Sequence, residues 1–293
     1  MQKLIIEAAI NEQASKADNP NVPYSVEEGV RDAIACADAG AAIIHFHARD
    51  DRTGDMLHPG TEVYIEAMRA IRRERPGLMV YPTYGMSPTA EERFSHVKAL
   101  AEDPGVRLNM ATIDPGAVNF GAFDPAEGRF REDWTLNVSH AETEYLMGLA
   151  REYGFPISVV CREPGHVRHA VAHYRMGQVP SPLFLKICLN DELSWGMPPN
   201  PRAIEAYLSV VPPDVPVIWM VYIYGVSHWA MNLHAIAAGG HVRTGLGDNP
   251  VEPDGVRLTN AEKVARVVEI ARQIGRETAT PREALSIMAG QAN

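Results

Sequence analysis

The sequence predicts an α/β fold, a (β/α)8 TIM barrel, on three observations. Eight short apolar runs alternate with eight amphipathic stretches, and no linker or low-complexity segment interrupts the alternation from end to end. The chain has 293 residues, which suits one complete barrel, a fold of roughly 250 residues. The strand-like runs are residues 4–10, 42–48, 78–84, 106–112, 156–161, 182–189, 215–222 and 241–245. The helical patterns between and after them are 25–39, 59–75, 89–101, 140–153, 165–176, 201–210, 227–238 and 260–274. Residues 116–133 form the largest irregular insertion, and a further helix near 281–289 is appended to a barrel domain expected to occupy 1–293.

Alternation along the strands assigns direction, because successive side chains of a strand point to opposite faces. In the first run Leu4, Ile6, Ala8 and Ile10 are the greasier set and should face the helices. Ile5, Glu7, Ala9 and Asn11 should then point into the barrel. In the second run Ala42, Ile44, Phe46 and Ala48 should face outward and Ile43, His45, His47 and Arg49 inward. A carboxylate inside a barrel must meet a cation, so Glu7 should pair either with a metal or with Lys186 of the sixth run.

Composition removes several functions. Hydrophobic residues make up 46% and charged residues 22%, an ordinary globular balance, and the net charge is −10. A nucleic-acid partner is disfavoured, since phosphate binding wants a basic stripe. Cys36, Cys161 and Cys188 form an odd set without a C-x-x-C pair. A disulfide framework is therefore not expected, and a reducing, cytoplasmic compartment is. No apolar run is long enough for a membrane span, and the N-terminal residues lack a signal-peptide pattern.

His45-x-His47 is the sharpest chemical feature. Two imidazoles at i and i+2 share one face, point inward, and lie near the C-terminal end of their strand, where barrel active sites sit. They can bind one divalent metal such as zinc, iron, nickel or copper without bending the backbone. The second feature is His241-Val-Arg243-Thr-Gly-Leu-Gly247-Asp248. Arg243 should point inward and needs an anion, either a substrate carboxylate or Asp248. Asn11, Thr83 and Thr112, polar residues at strand ends, are the expected substrate contacts.

With these residues in hand, the chain resembles the β-keto acid cleavage enzymes. The likeness runs over Ala8 to Asn11, Asp18 to Tyr24, Ala39 to Asp50, Asn109 to Thr112, Val118 to Gly121 and Gly239 to Leu246. It implies a Zn(2+)-dependent, homotetrameric TIM-barrel transferase. It also implies that a β-keto acid and acetyl-CoA give acetoacetyl-CoA and the CoA ester of the remaining acyl group. His45 and His47 are the implied zinc ligands, and Arg243 with Asp248 the implied catalytic pair. The resemblance further implies a glutamate ligand just before Asp248, where this chain has Gly247. It also implies a glutamate placed to pair with a substrate ammonium at the end of the fifth strand, where this chain reads Ser158-Val-Val-Cys-Arg162 before Glu163. The third ligand is then sought among Glu7, Glu12 and Asp248, and a substrate without a 5-amino group is expected. Two other readings compete: a metal-dependent hydrolase of the amidohydrolase type, and a degenerate, non-catalytic barrel.

Overall fold

The structure, a computed structural model, describes residues 1–225 and 228–291. Eight parallel strands build one sheet: β1 (Ile6–Ala9), β2 (Ile43–Phe46), β3 (Met79–Pro82), β4 (Ala111–Ile113), β5 (Ile157–Cys161), β6 (Leu183–Asn190), β7 (Val217–Tyr224) and β8 (His241–Thr244). Their order is β3-β2-β1-β8-β7-β6-β5-β4, a sheet curled into a nearly closed barrel. Among the described residues, β3 and β4 share no ladder. The Asn109 side chain spans the gap, accepting from Val80 N (3.0 Å) and donating to Leu78 O (3.0 Å). An amide with both a donor and an acceptor imitates a peptide group, so closure there is made by one side chain.

Within the strands the alternation read from the first two runs holds, whereas Asn11 and Arg49, expected inside the barrel, lie past the strand ends and face the helix side instead. Leu4, Ile6, Ala8, Ile10, Ile44, Phe46 and Ala48 pack in the large cluster between sheet and helices. Ile5 and Ile43 lie in a second cluster inside the barrel, with Met79, Phe184 and Met220. Ala42 is a correction. It packs in that inner cluster, because it precedes β2 and the strand's period does not extend to it. The terminal helix Pro281–Met288 sends Ala284, Ile287 and Met288 into the same inner cluster and so plugs the barrel floor.

The helices begin where their sequences supply caps. Ser25 with Glu28, Ser139 with Glu142, Thr259 with Glu262 and Thr280 with Glu283 form reciprocal capping boxes. Each satisfies two otherwise orphan donors and is worth about 1 kcal/mol. The expected helix 89–101 is instead two, Ala90–Arg93 and Ser95–Glu102. They meet at Phe94, whose non-helical backbone turns its fully buried ring into the core. The helix expected over 227–238 runs from Trp229 to Ala237, and Ser227 lies outside the described residues. The insertion is ordered rather than irregular. Gly116–Phe120 pairs antiparallel with Trp134–Val138, and Phe123–Asp124 with Arg129–Phe130. Among the described residues no helix is long and apolar enough to cross a membrane.

Candidate active site

At the C-terminal mouth of the barrel, β2 delivers His45, and the residue after its end delivers His47. Their rings lie 5.1 Å apart, edge to face. The backbone then supplies Glu12 from the loop after β1. Glu12 has φ +37°, a left-handed conformation that costs a side-chain-bearing residue on the order of 1–3 kcal/mol. That turn brings its carboxylate back over the mouth. Oε1 lies 2.9 Å from His45 Nε2, and Oε2 lies 3.0 Å from His47 Nε2.

These three groups fit a divalent metal. Their ligand atoms all lie within 4.8 Å of one another. His45 Nδ1 is 3.3 Å from the Tyr81 carbonyl, an acceptor only, so Nδ1 must carry the proton and Nε2 presents a lone pair. Burial lowers the His45 imidazole to about 4 against the pull of Glu12, so it is neutral at pH 7, as a ligand must be. Burial opposes ionisation of Glu12. Arg243 and the two histidines nevertheless hold its carboxyl well below the usual carboxylate range. His47 Nε2 is buried with no aligned hydrogen-bond partner. A carboxylate facing two imidazole lone pairs wants a cation among them.

Arg243 on β8 stands beside this cluster. Its Nε and Nη2 donate to Asp248 Oδ2 and Oδ1 at 2.9 and 2.6 Å, a bidentate pair, and Nη2 also reaches Glu12. Its guanidinium lies 4.4 Å over the Tyr222 ring. Of the three carboxylates considered for the metal, Asp248 is thus held by Arg243. Glu7 is held by Lys186 at 2.5 Å and by Tyr81, which donates to it at 2.6 Å. Glu12 alone of the three joins the histidines. Gly247 explains why it can. A Cβ there would stand 2.4 Å from Glu12 Cγ, so Glu12 fills the space that a side chain at 247 would take.

The mouth opens into a cavity of about 460 Å³ lined by Glu12, His45, His47, Arg243, Thr83 and Thr112, among others. Asn11, also expected at the substrate, is not among its lining residues. Its amide donates to Pro23 O and His47 O and accepts from His47 N (2.8 Å), which fixes the backbone of His47. Thr112 exchanges its hydroxyl contact with Ser158 (3.1 Å) across β4 and β5. Three further lining residues were not singled out from the sequence as site residues: Asp114, Arg162 and Trp134. The first two lie just past strand ends, where alternation gives no direction. Trp134 belongs to the hairpin, which roofs the cavity with Phe120 stacked on it at 4.1 Å.

The barrel mouth thus gathers two histidines, a glutamate and an aspartate-locked arginine. The family model for beta-keto acid cleavage enzymes covers residues 3–289, and the chain belongs to that family. It is 31% identical over 292 residues to the 3-keto-5-aminohexanoate cleavage enzyme of Fusobacterium nucleatum subsp. nucleatum, with 98% of each chain covered. The enzyme of the same name from Acetoanaerobium sticklandii is equally similar. The 3-oxoadipate:acetyl-CoA acetyltransferase of Cupriavidus necator is 25% identical, covering 98% of this chain and 95% of that one. Among solved structures, a binary complex of ObcA with oxaloacetate superposes with a TM-score of 0.71 at 17% identity, over 94% of this chain and 68% of that one. This likeness bears on the fold alone.

Proposed function

We propose that this chain is a zinc-dependent acyltransferase that cleaves a β-keto acid against acetyl-CoA. Family membership supports the reaction class, and the names of the relatives support acetyl-CoA as co-substrate. The observation that carries the reading onto this chain's own residues is the cluster of Glu12, His45 and His47 beside Arg243. Glu12, His45 and His47 would hold the ion, and two imidazoles with one carboxylate is a donor set that suits catalytic zinc. A divalent ion bound there supplies Lewis acidity toward the ketone and carboxylate oxygens of a substrate.

Arg243 supplies a fixed positive charge. Asp248 holds the guanidinium through two bonds, so its orientation is set before substrate arrives. Buried beside the cavity, that charge stabilises the oxyanion formed at each addition. Asn11 acts one step removed, by fixing the backbone of His47.

The bond changes can be counted. The carbon between ketone and carboxylate loses a proton, and the resulting enolate attacks the acetyl thioester carbonyl and expels CoA thiolate. The thiolate adds to the substrate ketone carbon. The bond between that carbon and the former enolate carbon then breaks, its electron pair staying on the latter, which takes back the proton lost in the first step. One CoA enters, so one CoA ester leaves. The products expected from the resemblance, acetoacetyl-CoA plus a second CoA ester, contain one CoA too many. The balanced products are the acyl-CoA and free acetoacetate.

The reading includes a cytoplasmic homotetramer, which sedimentation of the purified chain tests for assembly state. The reaction is tested by a panel of β-keto acids with acetyl-CoA, following acetoacetate and acyl-CoA together. Acetyl-CoA-dependent formation of both is expected. Turnover without acetyl-CoA would favour the amidohydrolase-type reading, and no turnover of any member the non-catalytic one.

A further inference from the structure

The wall facing the metal cluster carries a cation that the proposed chemistry does not use. Arg162 follows β5, and β5 stands four strands from β1 in the barrel order, diametrically across the mouth from Glu12. Its side chain is 17% exposed and lines the cavity. Its Nε donates to Asp114 Oδ1 at 2.9 Å, while Tyr84 donates to Asp114 Oδ2 at 2.8 Å. Both oxygens of Asp114 are thus engaged: Tyr84 holds the carboxylate through Oδ2, and Oδ1 orients the guanidinium from one edge. Among the described residues Nη1 and Nη2 have no hydrogen-bond or ion-pair partner. The hairpin and the loop after β6 shield this end, with Phe120 at 5.5 Å and Trp195 at 5.1 Å from Cζ.

A half-buried, pre-oriented guanidinium whose Nη1/Nη2 edge is free matches a planar carboxylate, the anion its fork fits bidentately. The reacting ketone and carboxylate belong at the metal end, so what reaches Arg162 is the far end of the acyl chain. We propose that Arg162 determines specificity and that the β-keto acid carries a second carboxylate at that end. This rests on the β-keto acid reading above.

The test uses the metal-loaded enzyme with acetyl-CoA and three six-carbon 3-oxo acids: the dicarboxylate, the neutral-ended monocarboxylate and the 5-amino compound. The dicarboxylate is expected to exceed the monocarboxylate in kcat/KM by about ten- to hundredfold, the size of a charged hydrogen-bond pair, with the 5-amino compound lowest. In Arg162→Met that ratio should collapse toward one, with the KM for acetyl-CoA unchanged. A wild type that prefers the neutral or cationic acid overturns the proposal, whether or not the variant folds. So does a variant that loses both acids equally. A rise in the acetyl-CoA KM alone would assign Arg162 to a CoA phosphate instead. If no acid yields acetoacetate, the reaction itself is misread. Calorimetric binding of the dicarboxylate and monocarboxylate then still decides the matter, equal affinities overturning the role of Arg162.

Discussion

Glu7→Gln is the substitution whose cost the structure sets most tightly. Glu7 and Lys186 are both fully buried, 2.5 Å apart, and Tyr81 bridges them, accepting from Lys186 and donating to Glu7 at 2.6 Å each. The amide keeps the shape and removes the charge, leaving a buried ammonium without its counter-ion. Losing one partner of such a pair costs about 3–5 kcal/mol. An independent ceiling comes from the lysine itself. Burial already lowers Lys186 to about 8 despite Glu7, so the unpaired amine can escape by releasing its proton. At pH 7, roughly 3.5 units below 10.5, release costs about 5 kcal/mol. In the variant the folded state holds fewer protons than the unfolded, so stability rises with pH, and the deficit should be smaller at pH 8 than at pH 6. Chemical denaturation of both proteins at the two pH values, with metal analysis, measures this. A deficit under about 1 kcal/mol, or one that ignores pH, would refute the buried pair. Loss of metal would return Glu7 to the ligand set. The double variant Glu7→Leu with Lys186→Met should recover much of the loss, since apolar replacement of a whole buried pair is often neutral.

Three further outcomes are expected. Gly247→Ala sets a methyl group against Glu12 and should lower metal affinity about 10–100-fold by titration, as loss of ligand positioning does, with the fold intact by circular dichroism. Unchanged affinity would remove Glu12 from the ligand set. Arg243→Lys loses the paired bonds to Asp248 and should cut kcat about a hundredfold or more, whereas near-normal turnover would leave Arg243 a structural role. Asp32 lies under Asn260, and burial raises its carboxyl to about 7. A raised acid contributes stability below its unfolded pKa and loses it as pH rises through about 7. Asp32→Asn should therefore stabilise the fold at pH 8, by a few kcal/mol at most, and leave its stability unchanged near pH 3. Equal effects at both pH values would contradict that assignment.

Where the chain is in a strand, its side-chain directions were legible. Alternation alone sent Glu7 inward, toward a metal or Lys186, and put His45 and His47 on one face. The structure has both, because a buried sheet leaves no register slack. Past the strand ends the rule loses its hold. Glu12 was one of three candidates because a left-handed residue reverses the direction that a period of two predicts. Asp114 and Arg162 sit in loops and find each other only in three dimensions. Asn11 was expected inside the barrel but faces the helix side, since nothing in its sequence says that its amide will bind Pro23 and the His47 backbone. The hairpin strands were missed because most of their side chains are exposed, which leaves the apolar alternation too weak to read.

In the proposed function Glu12, His45 and His47 hold one divalent ion on which β-keto acid cleavage depends. This dependence is tested most directly by titrating zinc into chelator-stripped protein while following acetoacetate from acetyl-CoA and a 3-oxo dicarboxylate. Activity should be near zero in the stripped protein and rise linearly to a plateau at about one zinc per chain. Full activity in the stripped protein, or acetoacetate formation indifferent to added zinc, would contradict it.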